Sequence, residues 1–236
     1  VVANNDLPLA GMIAGDMADY IWRVREDLAG KTFPRPKEAV RMAEASIKKG
    51  EKPVILADYS DRSGDATWIL KELAEQKISH FLMAPLRDEK TINIMVDKHM
   101  KPGDKVDMMI GASTGTKQAG EPVRISGVLR FLGPKYSFEN VAVVETEQKS
   151  MIIIVPAYKE FRYPEEIDMG FIEPKTFNVI VLKSRVHFRR GFIDSGFARN
   201  VIIVDAPGPW LGTIHLDHLD YKFTPIDKLY PFMKSS

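Results

Sequence analysis

The segment Pro53-Val54-Ile55-Leu56-Ala57-Asp58-Tyr59-Ser60-Asp61-Arg62-Ser63-Gly64-Asp65 decides the fold. Its first five residues are apolar and read as a short strand buried on both faces. The next eight form a polar loop. A helix follows through Lys77, with Trp68, Ile69 and Leu73 facing inward and Asp65 in the place of its cap. Strand, polar loop and helix in this order form the repeating unit of a parallel sheet covered by helices.

The same rhythm continues outward. Lys37 to Lys49 reads as a helix with Val40, Ala43 and Ile47 inside and Gly50 at its end. His80 to Ala84 reads as the next strand, and Asp88 to His99 as the next helix. Residues 37–110 thus alternate helix and strand. Val123 to Phe131, Val141 to Thr146 and Met151 to Val155 read as strands joined by short turns, an antiparallel section. The earlier rhythm returns with strand 178–182, a helix near 185–194, and strand 201–204. The fold class is α/β, a mostly parallel sheet flanked by helices with an antiparallel strand-rich middle.

Upstream, Met12 to Leu28 reads as an amphipathic helix, with Ile13, Met17, Tyr20, Ile21, Val24 and Leu28 at helical spacing. Trp22 and Trp68 are expected in the core. Lys31-Thr32-Phe33-Pro34-Arg35-Pro36 is a linker, because two prolines block a helix across it. Residues 1–36 therefore read as the end of a preceding α/β domain plus linker, and 37–236 as one α/β domain. The start at Val1 lacks an initiator Met and points to numbering that begins inside a longer protein. The tail from Tyr221 to Phe232, with Pro225 and Pro231, is expected to wrap the surface.

Composition narrows the function. Of 236 residues, 44% are hydrophobic and 28% charged, which is ordinary for a soluble globular protein. Lys+Arg 33 against Asp+Glu 32 leaves a formal +1, which gives no support for nucleic acid as a partner. No apolar run approaches a membrane span. The absence of cysteine removes disulfides, thiol nucleophiles and cysteine-ligated metals, and fits a reducing cytoplasm.

Three predicted strands end in polar residues. Strand 53–57 runs into Asp58, Asp61 and Asp65, strand 178–182 into Lys183-Ser184-Arg185-Val186-His187-Phe188-Arg189-Arg190, and strand 201–204 into Asp205. If these strands are parallel neighbours, acids and bases face one another along one rim, where open α/β sheets bind ligands. A helix starting near Ser184 would add an anion-favouring amino terminus. The alternatives are helix caps, ion pairs and a solvated basic turn. His187 could donate a proton, bind an oxyanion or ligate a metal, or simply pack beside Phe188. Asp58 suits an Asx-turn, and Gly64 a positive φ or a close backbone approach. His215 and His218 share a face only on a helix, and nearby Gly208, Pro209 and Gly212 argue for a loop. His80 reads as structural, and Trp210 as a loop residue that could bind a partner.

Four segments in order carry a family resemblance. They are Pro53-Val54-Ile55-Leu56-Ala57-Asp58 with Asp61, Gly64-Asp65-Ala66-Thr67, Leu182-Lys183-Ser184 with His187-Phe188-Arg189, and Val204-Asp205-Ala206-Pro207-Gly208. Together they resemble the carboxy-terminal domain of the microcystinase C (MlrC) family of zinc metallopeptidases, over about residue 50 to the end. The helix holding Ile21-Trp22-Arg23-Val24-Arg25 resembles the end of the family's amino-terminal domain. Many members carry Asp-Asn-Pro-Gly-Gly-Gly where this chain has Asp61-Arg62-Ser63-Gly64, which places a cation where others expose backbone. The resemblance implies a hydrolase that uses zinc to activate water against an amide bond. It also implies that the zinc ligands lie in the amino-terminal domain, outside this chain, so no metal ligand is assigned here. The chain would then supply a substrate-side wall from Asp58, Asp61, Arg62, Asp65, Lys183, Ser184, His187 and Arg189, with His187 as the candidate for direct catalysis. Its partners would be that amino-terminal domain and a peptide or amide substrate. Two other readings stay open: a non-catalytic binding or assembly module (or separate subunit), and an anion-binding enzyme in its own right.

Overall fold

In the computed structural model the described residues are 1–28, 33–167, 169–206 and 222–223. The expectations for Trp210, for His215 and His218, and for the tail lie outside them, apart from Lys222 and Phe223. The chain divides into two compact units, one of Val1–Thr32 with Ile214–Ser236, the other Phe33–Thr213.

The first unit contains α1 (Leu7–Arg23) and α2 (Arg25–Leu28). Asp6 caps α1 by accepting from the Leu9 N–H at 2.9 Å, and Pro8 suits the first turn. The apolar stripe read from sequence is present, yet Met12, Met17, Tyr20, Ile21 and Trp22 are all exposed. Trp22 is thus not a core residue. Its ring lies under the Arg25 guanidinium, 4.4 Å from the centroid.

The second unit holds one eight-stranded sheet. After α3 (Pro36–Lys48) come β1 (Val54–Asp58), α4 (Trp68–Glu75), β2 (Phe81–Arg87), α5 (Glu89–Asp97), β3 (Lys105–Ile110), β4 (Val123–Lys135), β5 (Phe138–Thr146), β6 (Met151–Val155), β7 (Val179–Leu182) and β8 (Asn200–Val204). The strand order is β3-β4-β5-β6-β2-β7-β1-β8. The pairings β6–β2, β2–β7, β7–β1 and β1–β8 are parallel, and β3–β4, β4–β5 and β5–β6 are antiparallel. The α/β class with an antiparallel section is the observed architecture. β6, read from sequence as part of that section, also pairs in parallel with β2 and joins the two halves. The β2–β6 register shifts between Met83 and Leu86, beside Pro85, which has no N–H to give to a ladder.

The two sheet faces are covered differently. One packs Leu56, Met83 and Val181 against Ala39, Val40, Ile69, Leu73 and Met95 of the helices. The other packs Ile55, Leu82 and Ile180 against Phe161, Phe177, Phe188 and Phe192, which come from irregular segments rather than long helices. The helix expected at 185–194 is only a π-helical turn, Arg190–Asp194. Phe188 and Phe192 are fully buried and anchor this turn, while Ser184 to Arg189 run ahead of it. No helix starts at Ser184, so the expected anion-binding amino terminus does not form.

Candidate functional site

Because β7, β1 and β8 are adjacent and parallel, the residues leaving them emerge at one edge. Lys183 and Asp58 emerge side by side. The Lys183 ammonium lies 2.9 Å from Asp58 Oδ2, 2.8 Å from Asp61 Oδ2, and donates to the Ala66 carbonyl at 2.5 Å. Its three donors therefore have three acceptors, and Lys183 is only 1% exposed. Burial alone would disfavour the ammonium, but the Asp58 and Asp61 charges win and raise its pKa. Burial likewise opposes the Asp61 carboxylate, but Lys183 and two backbone N–H donors together hold its pKa below the usual carboxylate range. Asp58 moves the other way. Burial and the neighbouring Asp61 charge raise its pKa despite Lys183, because two acids share one cation.

The loop after β1 is wound around Asp61. Its Oδ1 accepts from the N–H of Gly64 at 2.8 Å and of Ser63 at 3.0 Å, and its Oδ2 from the Ala66 N–H at 3.0 Å. Asp58 Oδ1 accepts from the Asp61 N–H at 3.2 Å, the Asx-turn geometry read from sequence. Gly64 has φ +83, and a Cβ there would stand 3.0 Å from the Tyr158 ring. Asp65 does not cap a helix. Its Oδ2 accepts from the Thr114 N–H at 2.8 Å, and Ser63 Oγ donates to its Oδ1. Thr67 donates to the Glu121 carbonyl at 2.6 Å. Residues 65–67 thus tie two loops together, and α4 begins only at Trp68. The half-buried Trp68 donates its indole N–H to the Gln118 carbonyl at 2.9 Å.

Asp205, at the end of β8, is equally enclosed. Ser60 Oγ donates to its Oδ1, and the Arg35 guanidinium lies 3.0 Å from its Oδ2. The Asp205 N–H donates to the Pro34 carbonyl at 3.1 Å. The expected meeting of acids and bases is real, but it is a bonded contact below the surface rather than a crevice.

The exposed part of the rim is built differently. Ser184 is buried, and its hydroxyl donates to Glu160 Oε1. Glu160 Oε2 lies 2.7 Å from His187 Nδ1, with the His187 side chain 61% exposed and that of Glu160 12%. Gly191 brings the two segments together. A Cβ at Gly191 would stand 2.1 Å from the Arg162 carbonyl oxygen and 2.8 Å from Tyr163 Cα, so backbone packs directly on backbone. Tyr158 reaches toward both groups, its hydroxyl 3.5 Å from the Lys183 carbonyl. Partial burial and the Glu160 charge raise its pKa. An open depression of about 330 Å³ lies beside it, lined by Tyr136, Tyr158, Lys159, Glu160 and Arg162.

Of the eight residues singled out from sequence, Asp58, Asp61, Asp65, Lys183 and Ser184 are buried, and His187, Arg62 and Arg189 are exposed. The side chains of Arg62 and Arg189 make no hydrogen bond or ion pair among the described residues, while the Arg189 N–H donates to the Val186 carbonyl at 3.1 Å. Glu160, Tyr158 and Arg87 were not singled out. Arg87 ends β2 at the same edge, its Nε buried without a partner and one terminal nitrogen 3.5 Å from the Ser63 carbonyl. Among the described residues no group of three or more His, Asp and Glu side chains comes together to hold a metal ion. None of the described helices is long and apolar enough to cross a membrane.

Comparison with known proteins gives the family and the fold. A family model described as the MlrC C-terminus matches residues 62–222. The chain belongs to the MlrC C-terminus family. The matched range of this MlrC C-terminus domain contains Asp65, Glu160, Lys183, Ser184, His187 and Arg189, and begins just after Asp61. The fold also matches the crystal structure of a candidate metallopeptidase from Mesorhizobium sp. BNC1, with a TM-score of 0.65 and 19% identity over 90% of this chain and 44% of that one. The MlrC C-terminus chain thus spans less than half the length of that protein. No curated protein matches it.

Proposed function

We propose that this chain is the substrate-side, carboxy-terminal part of a metal-dependent hydrolase acting on peptide or amide bonds, working in the cytoplasm. Residues 1–36 would close a preceding α/β domain and its linker, and 37–236 would form the MlrC-type domain. The zinc that activates water in such chemistry would be held by residues outside this chain. The observation that carries the reading is the exposed His187, held by Glu160 at the strand-end edge of a domain in a family named for MlrC.

In this reading the rim has two layers. Arg62, His187 and Arg189 meet the substrate, and the exposed cations favour a carboxylate or a carbonyl oxygen. Asp58, Asp61, Asp65, Lys183 and Ser184 act beneath them and fix the loops that carry them. The test uses the full-length, zinc-loaded protein and linear or cyclic peptides. His187→Ala and Arg189→Ala are expected to lower turnover with the fold intact by circular dichroism. Unchanged turnover in both sinks the site assignment.

A second reading, a non-catalytic assembly module, is favoured by one observation: five of the eight residues are buried with their polar atoms committed within the domain, Asp58, Asp61 and Lys183 to one another, Asp65 to Ser63 and Thr114 and Ser184 to Glu160. Tight binding of this chain to the separate amino-terminal part, with peptide hydrolysis unaffected by His187→Ala, would support it over the first.

A further inference from the structure

Glu160 is the residue of this edge whose bonding is most specific. Its carboxylate is largely buried and faces two partners, one on each oxygen. Ser184 Oγ donates to Oε1, and His187 Nδ1 sits 2.7 Å from Oε2. A carboxylate oxygen can only accept, so the close His187 nitrogen must carry the proton. In a neutral imidazole the other nitrogen is then the acceptor. Nε2 makes no hydrogen bond among the described residues, and the ring is 61% exposed. The Ser184 hydroxyl has a role in this. By occupying Oε1 it leaves Oε2 to His187 and fixes the carboxylate plane.

We infer that Glu160 is a positioning residue that holds His187 as the Nδ1–H tautomer, so that Nε2 presents an outward lone pair to a hydrogen-bond donor of the ligand. The ligand class this fits is one with an N–H or O–H at the contact, such as a backbone amide of a peptide. A ligand offering only carboxylate or carbonyl oxygens would not be accepted by that nitrogen in its neutral form. The inference rests on the proposed function for its substrate, but the tautomer itself does not.

Three features of the chain hold the arrangement. Lys183, next to Ser184, is pinned by three buried acceptors. Phe188, next to His187, is fully buried. Gly191 allows the turn to rest on the backbone of Arg162 and Tyr163. The ring is therefore held from both sides of its segment, as a group that must meet a ligand in one orientation requires.

The experiment is long-range ¹H–¹⁵N correlation spectroscopy on ¹⁵N-histidine-labelled protein at a pH where the ring is neutral, with His187 assigned by its loss in His187→Gln. The expected result is a protonated Nδ1 and a bare Nε2. Glu160→Ala should shift the ring toward the Nε2–H form, and Glu160→Gln, which keeps an acceptor oxygen, should restore the original tautomer. A predominantly Nε2–H ring in the unmodified protein, or a tautomer unaffected by Glu160→Ala, overturns the inference. In the full-length enzyme Glu160→Ala should lower kcat for peptides by about tenfold or more, the range of a proton-handling or orienting group, with KM changed less. An Nδ1–H tautomer beside unchanged turnover in His187→Ala supports the positioning role and overturns the assigned reaction instead.

Discussion

Replacing Lys183 with methionine tests the buried layer of the rim. Methionine keeps the length and most of the packing of the stem, but removes the cation that pairs with both Asp58 and Asp61. Both acids are nearly inaccessible, at 4% and 6% exposure, so water cannot replace the ammonium. Removing one partner of a buried ion pair costs about 3–5 kcal/mol. The low end is expected here, because Asp58 already has a raised pKa and can take a proton to relieve the charge. For a chain of this size a loss of about 3 kcal/mol lowers Tm by roughly 6–12 °C. The assay is urea unfolding of both proteins at about pH 7 and about pH 5, with a common slope. In the unmodified protein the depressed Asp61 pKa adds stability that is present above the usual carboxylate range and is lost as pH falls through its folded value. The raised Lys183 pKa adds stability that is complete below the ordinary lysine value and is lost only as pH rises through the folded one. Lys183 therefore contributes nothing to the slope between the two conditions. In the variant, acid protonates the stranded carboxyls, so the gap between the proteins should narrow toward pH 5. A loss below about 1 kcal/mol at pH 7, the scale of an exposed pair, or a gap that widens with acid, refutes the reasoning. Asp58→Asn leaves one acid for one cation and should cost only about 1 kcal/mol, the net worth of a hydrogen bond.

Gly64→Ala places a Cβ at φ +83, 3.0 Å from the Tyr158 ring, and should cost about 1–2 kcal/mol from the left-handed backbone alone, read by thermal unfolding. Gly191→Ala is more severe, since its Cβ would meet the Arg162 carbonyl at 2.1 Å. It should destabilise by about 3 kcal/mol and, in the same spectra, separate the His187 signal from its Glu160-bound position. Asp205→Ala strands Arg35 and Ser60 at the end of β8 and should cost about 1–3 kcal/mol in urea unfolding. Arg87→Met removes a buried donor that has no partner, so its stability should stay within about 0.5 kcal/mol of the parent or rise.

The strands were legible because their residues are apolar runs set between polar loops. Val54 to Ala57, Val179 to Leu182 and Val201 to Val204 each carry enough signal, and parallel packing then forces their ends onto one edge. Side-chain commitments at that edge were harder to read. Asp65 sits three residues before Trp68, where a cap is normal, yet the bond to Thr114 lies 49 residues away in sequence, beyond any local pattern. Glu160 was missed for a related reason. It precedes Ser184 by 24 residues and His187 by 27, in a segment with no helical or strand period. One signal was available: β6 was read as a strand, and applying the strand-end rule to it points directly at Pro156 to Glu160. Its placement in the antiparallel section hid this, because its parallel pairing with β2 is a property of the sheet order alone. The exposure of α1 was also unreadable, since an apolar stripe on a helix shows that a face needs covering and not what covers it.

The two layers of the rim depend on each other through adjacent residues. Lys183 and Ser184 are consecutive, so the ammonium that Asp58 and Asp61 share also fixes where the Ser184 hydroxyl meets Glu160. A charged network is a costly way to join strands β1 and β7, since apolar residues of similar size often do as well or better for stability. What the network adds is direction. A lysine with three acceptors in fixed places has one arrangement, whereas methionine has several rotamers of similar energy. The loss on replacing Lys183 should therefore appear in the exposed layer as well as in unfolding. In the Lys183→Met variant, still folded at moderate temperature, the His187 ring should show a mixed tautomer population where the parent shows one. A single Nδ1–H tautomer retained in that variant would mean that the buried acids and lysine serve stability alone, and that Glu160 positions His187 without them.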